Sequence, residues 1–139
     1  MKLLKILALL PIFVIILGCN HQPPVQMNNS KSHSQPTGNT ADKDLYYMNL
    51  LEALEQRNAV AEAKQAIASN QYQLMGYYSG RAGLKVPGID SSQQPNARCQ
   101  LNVIDGMGDV IYGENHMKYR IAMRKFATAF NTEMRAVCF

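Results

Sequence analysis

Motifs that announce an enzyme are missing from this chain. It has no HExxH pair for a catalytic zinc, no GxSxG turn for a serine nucleophile and no glycine-rich loop to cradle a phosphate. Gly106 and Gly108 form a GxG, but the third glycine and the βαβ setting are absent, which excludes a dinucleotide fingerprint. Cysteine is scarce: Cys19, Cys99 and Cys138 are the only three, and none lies beside a base that would make it a nucleophile. Histidine is equally scarce. His21 and His33 have no partner at metal-ligand spacing, which excludes a zinc module there. Long apolar runs are missing as well. The one from Ile6 to Leu17 is interrupted by Pro11 and falls short of the about 20 residues that a spanning helix needs.

What is present begins at the N-terminus. Lys2 and Lys5 accompany the apolar run, and the small Gly18 stands just before Cys19, the layout of a secretory signal over residues 1–18. Ile16-Leu17-Gly18-Cys19 resembles the lipobox of bacterial lipoproteins. The resemblance implies diacylglycerol in thioether linkage on Cys19, cleavage after Gly18 and acylation of the new N-terminus. An ordinary cleaved signal with a chance cysteine is the alternative. Two or three acyl chains make a lasting membrane anchor, since each buried CH₂ contributes about 0.8 kcal/mol. Asn20 stands where Gram-negative lipoproteins retained in the inner membrane carry Asp, so the family rule points to the outer membrane, with the domain facing the periplasm or the cell surface.

Removal of Lys2 and Lys5 with the signal changes the charge from 14 basic against 10 acidic residues to 12 against 10, about +2. That small excess, without a recognisable module, argues against nucleic acid as a partner. A basic cluster remains at Lys118, Arg120, Arg124 and Lys125. It reads as the solvated face of a helix, with contact to anionic headgroups as the sharper alternative. Residues 19–41 hold the lipidated cysteine and a stretch rich in Asn, Gln, Ser and Pro, whose apolar surface is too small to offset the entropy of ordering. A disordered tether is expected, with a reach on the order of 25 Å.

Residues 42–139 are the size of one small domain. Tyr47, Leu50, Leu51 and Leu54 share a helical face, with Asp42 or Asp44 available as the N-cap. The apolar stripe then shifts to Val60, Ala63 and Ile67, which predicts a break near Gln56–Asn58 and a second helix capped by Asn58. The alanines there suit close packing against another element. QYQLMGYYSG reads as a strand ending at Gly80, followed by an irregular loop through Pro87-Gly88 and Pro95. Cys99–Ile104 and Asp109–Tyr112 flank Asp105-Gly106, a hairpin signal. Tyr119, Met123, Phe126, Phe130 and Met134 recur at helical spacing in the final segment. The expected fold is α+β: an N-terminal helix or helix pair, a small antiparallel sheet with a hairpin, and a C-terminal amphipathic helix. The segments AIASNQYQLMG, VPGI, VIDGMGDVI and FATAFN, taken in order, resemble an uncharacterised proteobacterial lipoprotein or periplasmic family, which supports the domain boundary and implies no activity.

The densest polar group is Asp105, Asp109, Glu114 and His116. A carboxylate–histidine pair or a metal site is the sharper reading of that group. Turn roles already account for Asp105 and Asp109, the positive end of the last helix accounts for Glu114, and capping or partial burial accounts for His116. Tyr46, Tyr47, Tyr72, Tyr77 and Tyr78 suit core and interface packing, with a ligand groove as the alternative. No cofactor, no metal and no catalytic residue is expected. The sequence therefore favours a non-catalytic envelope interaction domain with a protein partner, in an assembly, secretion-accessory or immunity-type role. The alternative is a small hydrolase or metal-dependent enzyme using Asp109, Glu114 and His116. With Cys19 given to lipid, Cys99 and Cys138 are the remaining thiols in an oxidising compartment, and a disulfide between them is expected. Two buried free thiols or an intermolecular bridge are the alternatives.

Overall fold

The computed structural model describes residues 38–139; the expected signal, Cys19 and nearly all of the expected tether lie outside the described residues. Helix α1, Thr40–Glu55, is capped by Asn39, whose Oδ1 accepts from Asp42 N at 3.0 Å. Neither Asp42 nor Asp44 is the cap: Asp42 lies in the first turn, and Asp44 serves another helix. Helix α2, Ala59–Ala68, follows a break at Gln56–Asn58, and Asn58 Oδ1 accepts from Ala61 N at 3.0 Å, as the sequence predicts. It ends where Asn70 takes a positive φ of 56°, with Asn70 N donating to Ile67 O and Gln71 N to Ala66 O. That paired closure satisfies the last carbonyls of the helix.

Strand β1, Gln73–Ser79, turns through a short 3-10 segment at Gly80–Ala82 into β2, Gly83–Lys85; β3 is Gln100–Val103, and helix α3 runs Glu114–Cys138. The fold is α+β, with strand order β2-β1-β3. The sheet is mixed and not purely antiparallel. β1 pairs antiparallel with β2 but parallel with β3, in the register Leu74 with Leu101 and Gly76 with Val103. The expected hairpin at Asp105-Gly106 is therefore absent, and Asp109–Tyr112 is no strand. Gly106 does make a turn, at φ 74°. Beyond it Met107 is drawn into the core at 1% exposure, so the chain leaves β3 and packs onto the helices.

Helix α3 is the spine. Tyr119, Met123, Phe126, Phe130 and Met134 are all buried, the stripe its periodicity indicates. Ala59, Ala63 and Ala66 of α2 are buried in the same core, and side chains this small let the helix backbones approach closely. α1 lies along α3 in the same direction: Asp44 meets Asn115 and His116 at their N-terminal ends, while Arg57, just past α1, stacks over the Phe126 ring at 4.5 Å.

Asn131, fully buried on α3, completes the sheet. Its Oδ1 accepts from Met75 N at 2.8 Å, and its Nδ2 donates to Met75 O at 2.9 Å and to Pro87 O at 2.8 Å. β2 stops at Lys85, and Pro87 has no N–H to extend it. The carboxamide of Asn131 stands in for the missing peptide unit, so Met75 keeps both backbone bonds in the dry interior.

Cys99 and Cys138 form a disulfide, with Cα atoms 5.5 Å apart, that ties the end of α3 to the start of β3. Asn96 reinforces the junction by donating from N to Cys138 O and from Nδ2 to Val137 O, both at 2.8 Å. The bridge closes a separation of 39 residues, for which chain entropy gives about 4 kcal/mol. Cys138→Ser should lower the unfolding free energy by up to that amount in urea titrations. An unchanged midpoint would show that packing alone holds the helix end.

Candidate functional site

The polar residues around the start of α3 are held by partners far away in sequence. Gly113 precedes the helix and offers no capping side chain. Asp44 supplies the cap from α1: Oδ1 accepts from Asn115 N at 3.0 Å and His116 N at 3.2 Å, and Oδ2 accepts from Asn115 Nδ2 at 3.0 Å. A carboxylate there meets both the unpaired N–H groups and the positive end of the helix. Position 113 has φ 156°, and a Cβ there would collide with the Asp44 carboxylate, so glycine is required.

His116 is 1% exposed. Its ring stacks on Tyr47 with centroids 3.7 Å apart, and Tyr112 lies parallel to it at 5.3 Å. Tyr112 N donates to Nδ1 at 3.1 Å, so Nδ1 carries no proton; the proton sits on Nε2, which donates to Gly106 O at 2.7 Å. Burial pushes the imidazole pKa below its ordinary value; the bond to Gly106 O opposes this, the Arg120 cation adds to it, and Asp44 opposes it. A Cβ on Gly106 would lie 2.7 Å from Tyr47 Cε1, so the turn rests directly on that ring. Burial likewise raises the Tyr47 pKa, followed by its tyrosine neighbours.

The four candidate residues go to separate tasks. Asp105 is exposed in the turn. Asp109 accepts from Ser79 Oγ at 3.4 Å, at the far end of β1. Glu114 is solvent-facing and pairs with Lys118 at 2.6 Å. Only His116 is buried, and both of its ring nitrogens are engaged. Among the described residues no three His, Cys, Asp or Glu side chains are grouped to hold a metal ion. The basic cluster is also divided: Lys118 pairs with Glu114, Arg120 donates to Met107 O at 3.3 Å, and Arg124 lies over the Tyr77 ring at 5.8 Å.

A groove of about 590 Å³ lies elsewhere, between the sheet, the Val86–Pro95 loop, α3 and the terminal Phe139. Leu74, Leu84 and Leu101 line it from the three strands, and Val86, Pro87 and Ile89 from the loop. Lys85, Asp90 and Arg124 are its charged side chains. Tyr77, one of the five tyrosines noted in the sequence, lines it too; Tyr47 is core and Tyr78 is exposed. Sequence pattern could not place Asp44 or Asn131, because each acts across more than 50 residues. No protein-family model, no curated protein and no solved structure matches this chain.

The neutral His116 sets a pH dependence. Its folded pKa lies below the unfolded value near 6.5, so its contribution is complete above that value and is lost as pH falls toward the folded pKa. Unfolding free energy measured between pH 7.5 and 5 should decline below pH 6.5, with a slope from this group of at most about 1.4 kcal/mol per pH unit. In His116→Gln that part of the slope should vanish, with lower stability at pH 7.5. An identical slope in the variant would show that His116 titrates freely.

Proposed function

We propose that this chain is an envelope lipoprotein, anchored to the outer membrane through lipid on Cys19, whose domain at residues 42–139 binds a protein partner without catalysis. An assembly, secretion-accessory or immunity-type role fits such a module. The observation that carries the non-catalytic reading is the state of His116: a general base needs a free lone pair within reach of substrate, and this imidazole has spent Nδ1 on Tyr112 and Nε2–H on Gly106. Asp109 and Glu114 have other partners, which weakens the hydrolase alternative. The Cys99–Cys138 bond suits an oxidising compartment.

The outer edge of β3 is the surface for such a partner. Gln100 N donates to Tyr72 O and Ile104 N to Gly76 O, so the even-numbered residues face β1 and the peptide groups of Leu101 and Val103 point outward. Their side chains are 40% and 41% exposed, and the strand Gln100–Val103 carries neither lysine nor proline to discourage pairing. An extended segment of the partner would add there as a further strand.

Two measurements on native membranes test this reading. Mass analysis should find the wild-type N-terminal peptide beginning at a lipidated Cys19, and Cys19→Ser should abolish both modification and processing. Crosslinking should capture one dominant envelope protein, and Val103→Lys should reduce that capture about tenfold, equivalent to about 1.4 kcal/mol, with the disulfide intact. An unmodified wild-type Cys19 would contradict the anchor, and undiminished capture by Val103→Lys would contradict the edge-strand surface.

A further inference from the structure

The edge of β3 is complementary to itself. Within the strand only Leu101 and Val103 point their peptide groups outward, and among the described residues no hydrogen bond reaches the N–H or C=O of either. A second copy related by a twofold axis perpendicular to the sheet at Asn102 sets Leu101 opposite Val103 of that copy, and Val103 opposite its Leu101. Each such antiparallel pair exchanges two bonds, so four bonds satisfy every free group on both edges. An axis one residue either way fails: at Leu101 it pairs Val103 with Cys99, whose N–H already donates to Asn96 O at 3.1 Å, and at Val103 it pairs Leu101 with Asp105 in the turn. Charge agrees with this register. Arg98 precedes the strand and Asp105 follows it, both are exposed, and neither forms an ion pair among the described residues. Antiparallel pairing brings the basic end of each copy to the acidic end of the other, whereas parallel pairing would set like against like.

Resting on the edge-strand reading above, we propose that the strand added at β3 comes from a second copy of this chain, antiparallel about a twofold axis at Asn102, in the six-stranded order β2-β1-β3-β3-β1-β2. Leu101 and Val103 share a sheet face with Tyr78 and Leu84, since their register partners Leu74 and Gly76 alternate with Tyr78 along β1. A perpendicular twofold keeps that face on one side, so Leu101 and Val103 of each copy cover those of the other. The strand is four residues long, and such a contact buries less than the about 1,200 Å² of a stable complex. Pairing therefore depends on the local concentration that anchoring on one membrane provides.

The test uses the full chain in native membranes. At a non-hydrogen-bonded antiparallel pair the Cα atoms lie about 4.5 Å apart, inside the about 4.4 to 6.8 Å that a disulfide spans, so Asn102→Cys should join two copies under mild oxidation. Gln100→Cys controls for collision: its counterpart lies about 14 Å along the paired strand, and it should give at least about tenfold less linked dimer. Val103→Lys added to Asn102→Cys should reduce the dimer about tenfold. Recovery of the linked Cys99 and Cys138 peptides checks that a variant is folded. If Asn102→Cys is not, chemical crosslinking of two differently tagged wild-type copies decides, with Val103→Lys in both copies as the comparison. Equal dimer from Asn102→Cys and Gln100→Cys, or no dimer that Val103→Lys diminishes, would overturn the second copy as occupant. Capture of a different protein alone, still diminished by Val103→Lys, would overturn it too but leave the edge-strand reading intact; capture of every protein unaffected by Val103→Lys would overturn both.

Discussion

A neutral imidazole, sealed from water, joins the three segments on which the domain depends. His116 belongs to α3, stacks on Tyr47 of α1, and holds both ends of the intervening loop through Gly106 O and Tyr112 N. Each nitrogen has one role, and a second proton would set two donors against each other at Nδ1 in a place where charge is already disfavoured by burial and by Arg120. The Asp44 carboxylate meets the same helix end through the backbone, so the entry to α3 is fixed from α1 twice over. The residue with the strongest claim to chemistry in the sequence is thus occupied in holding the fold together.

The opposite end of α3 is fixed by different means. Asn131 finishes the hydrogen bonding of β1 where β2 runs out, and the Cys99–Cys138 bond closes the helix terminus onto β3. With a latch at one end and a staple at the other, the long helix carries α1, α2 and the sheet along its buried stripe. The short β2 leaves a groove bounded by the Pro87-Gly88 loop and α3, and β3 is an edge strand of the described sheet.

Features with local causes were legible in the sequence. Asn58 marks the break between α1 and α2, the spacing of Tyr119 through Met134 marks α3, and the remaining cysteine pair marks the bridge. The direction of β3 was not legible. Asp105-Gly106 does carry a turn, but turn chemistry says only that the chain bends, and the burial of Met107, just past the Gly106 that meets Tyr47 and His116, decides where it goes next. Asp44 read as a local cap because its real partners, Asn115 and His116, lie more than 70 residues away. Asn131 looked like an ordinary polar position on a helix, since nothing nearby in sequence says that a strand will lack a neighbour there. In each case the missing information was a long-range contact, which periodicity and capping rules do not contain.

The division of Asp109, Glu114 and His116 among separate structural tasks underlies the reading of this domain as a binding module, and the protonation state of His116 is its most direct test. Nitrogen-15 NMR of the imidazole, recorded from pH 7.5 to 5, reports both tautomer and titration. The account predicts a single neutral tautomer with the proton on Nε2 at pH 7.5, and a titration in the folded domain displaced below that of a free imidazole. An imidazole that titrates near pH 6.5 while the domain stays folded, or one with its proton on Nδ1, would contradict the latch and return His116 to the candidates for catalysis.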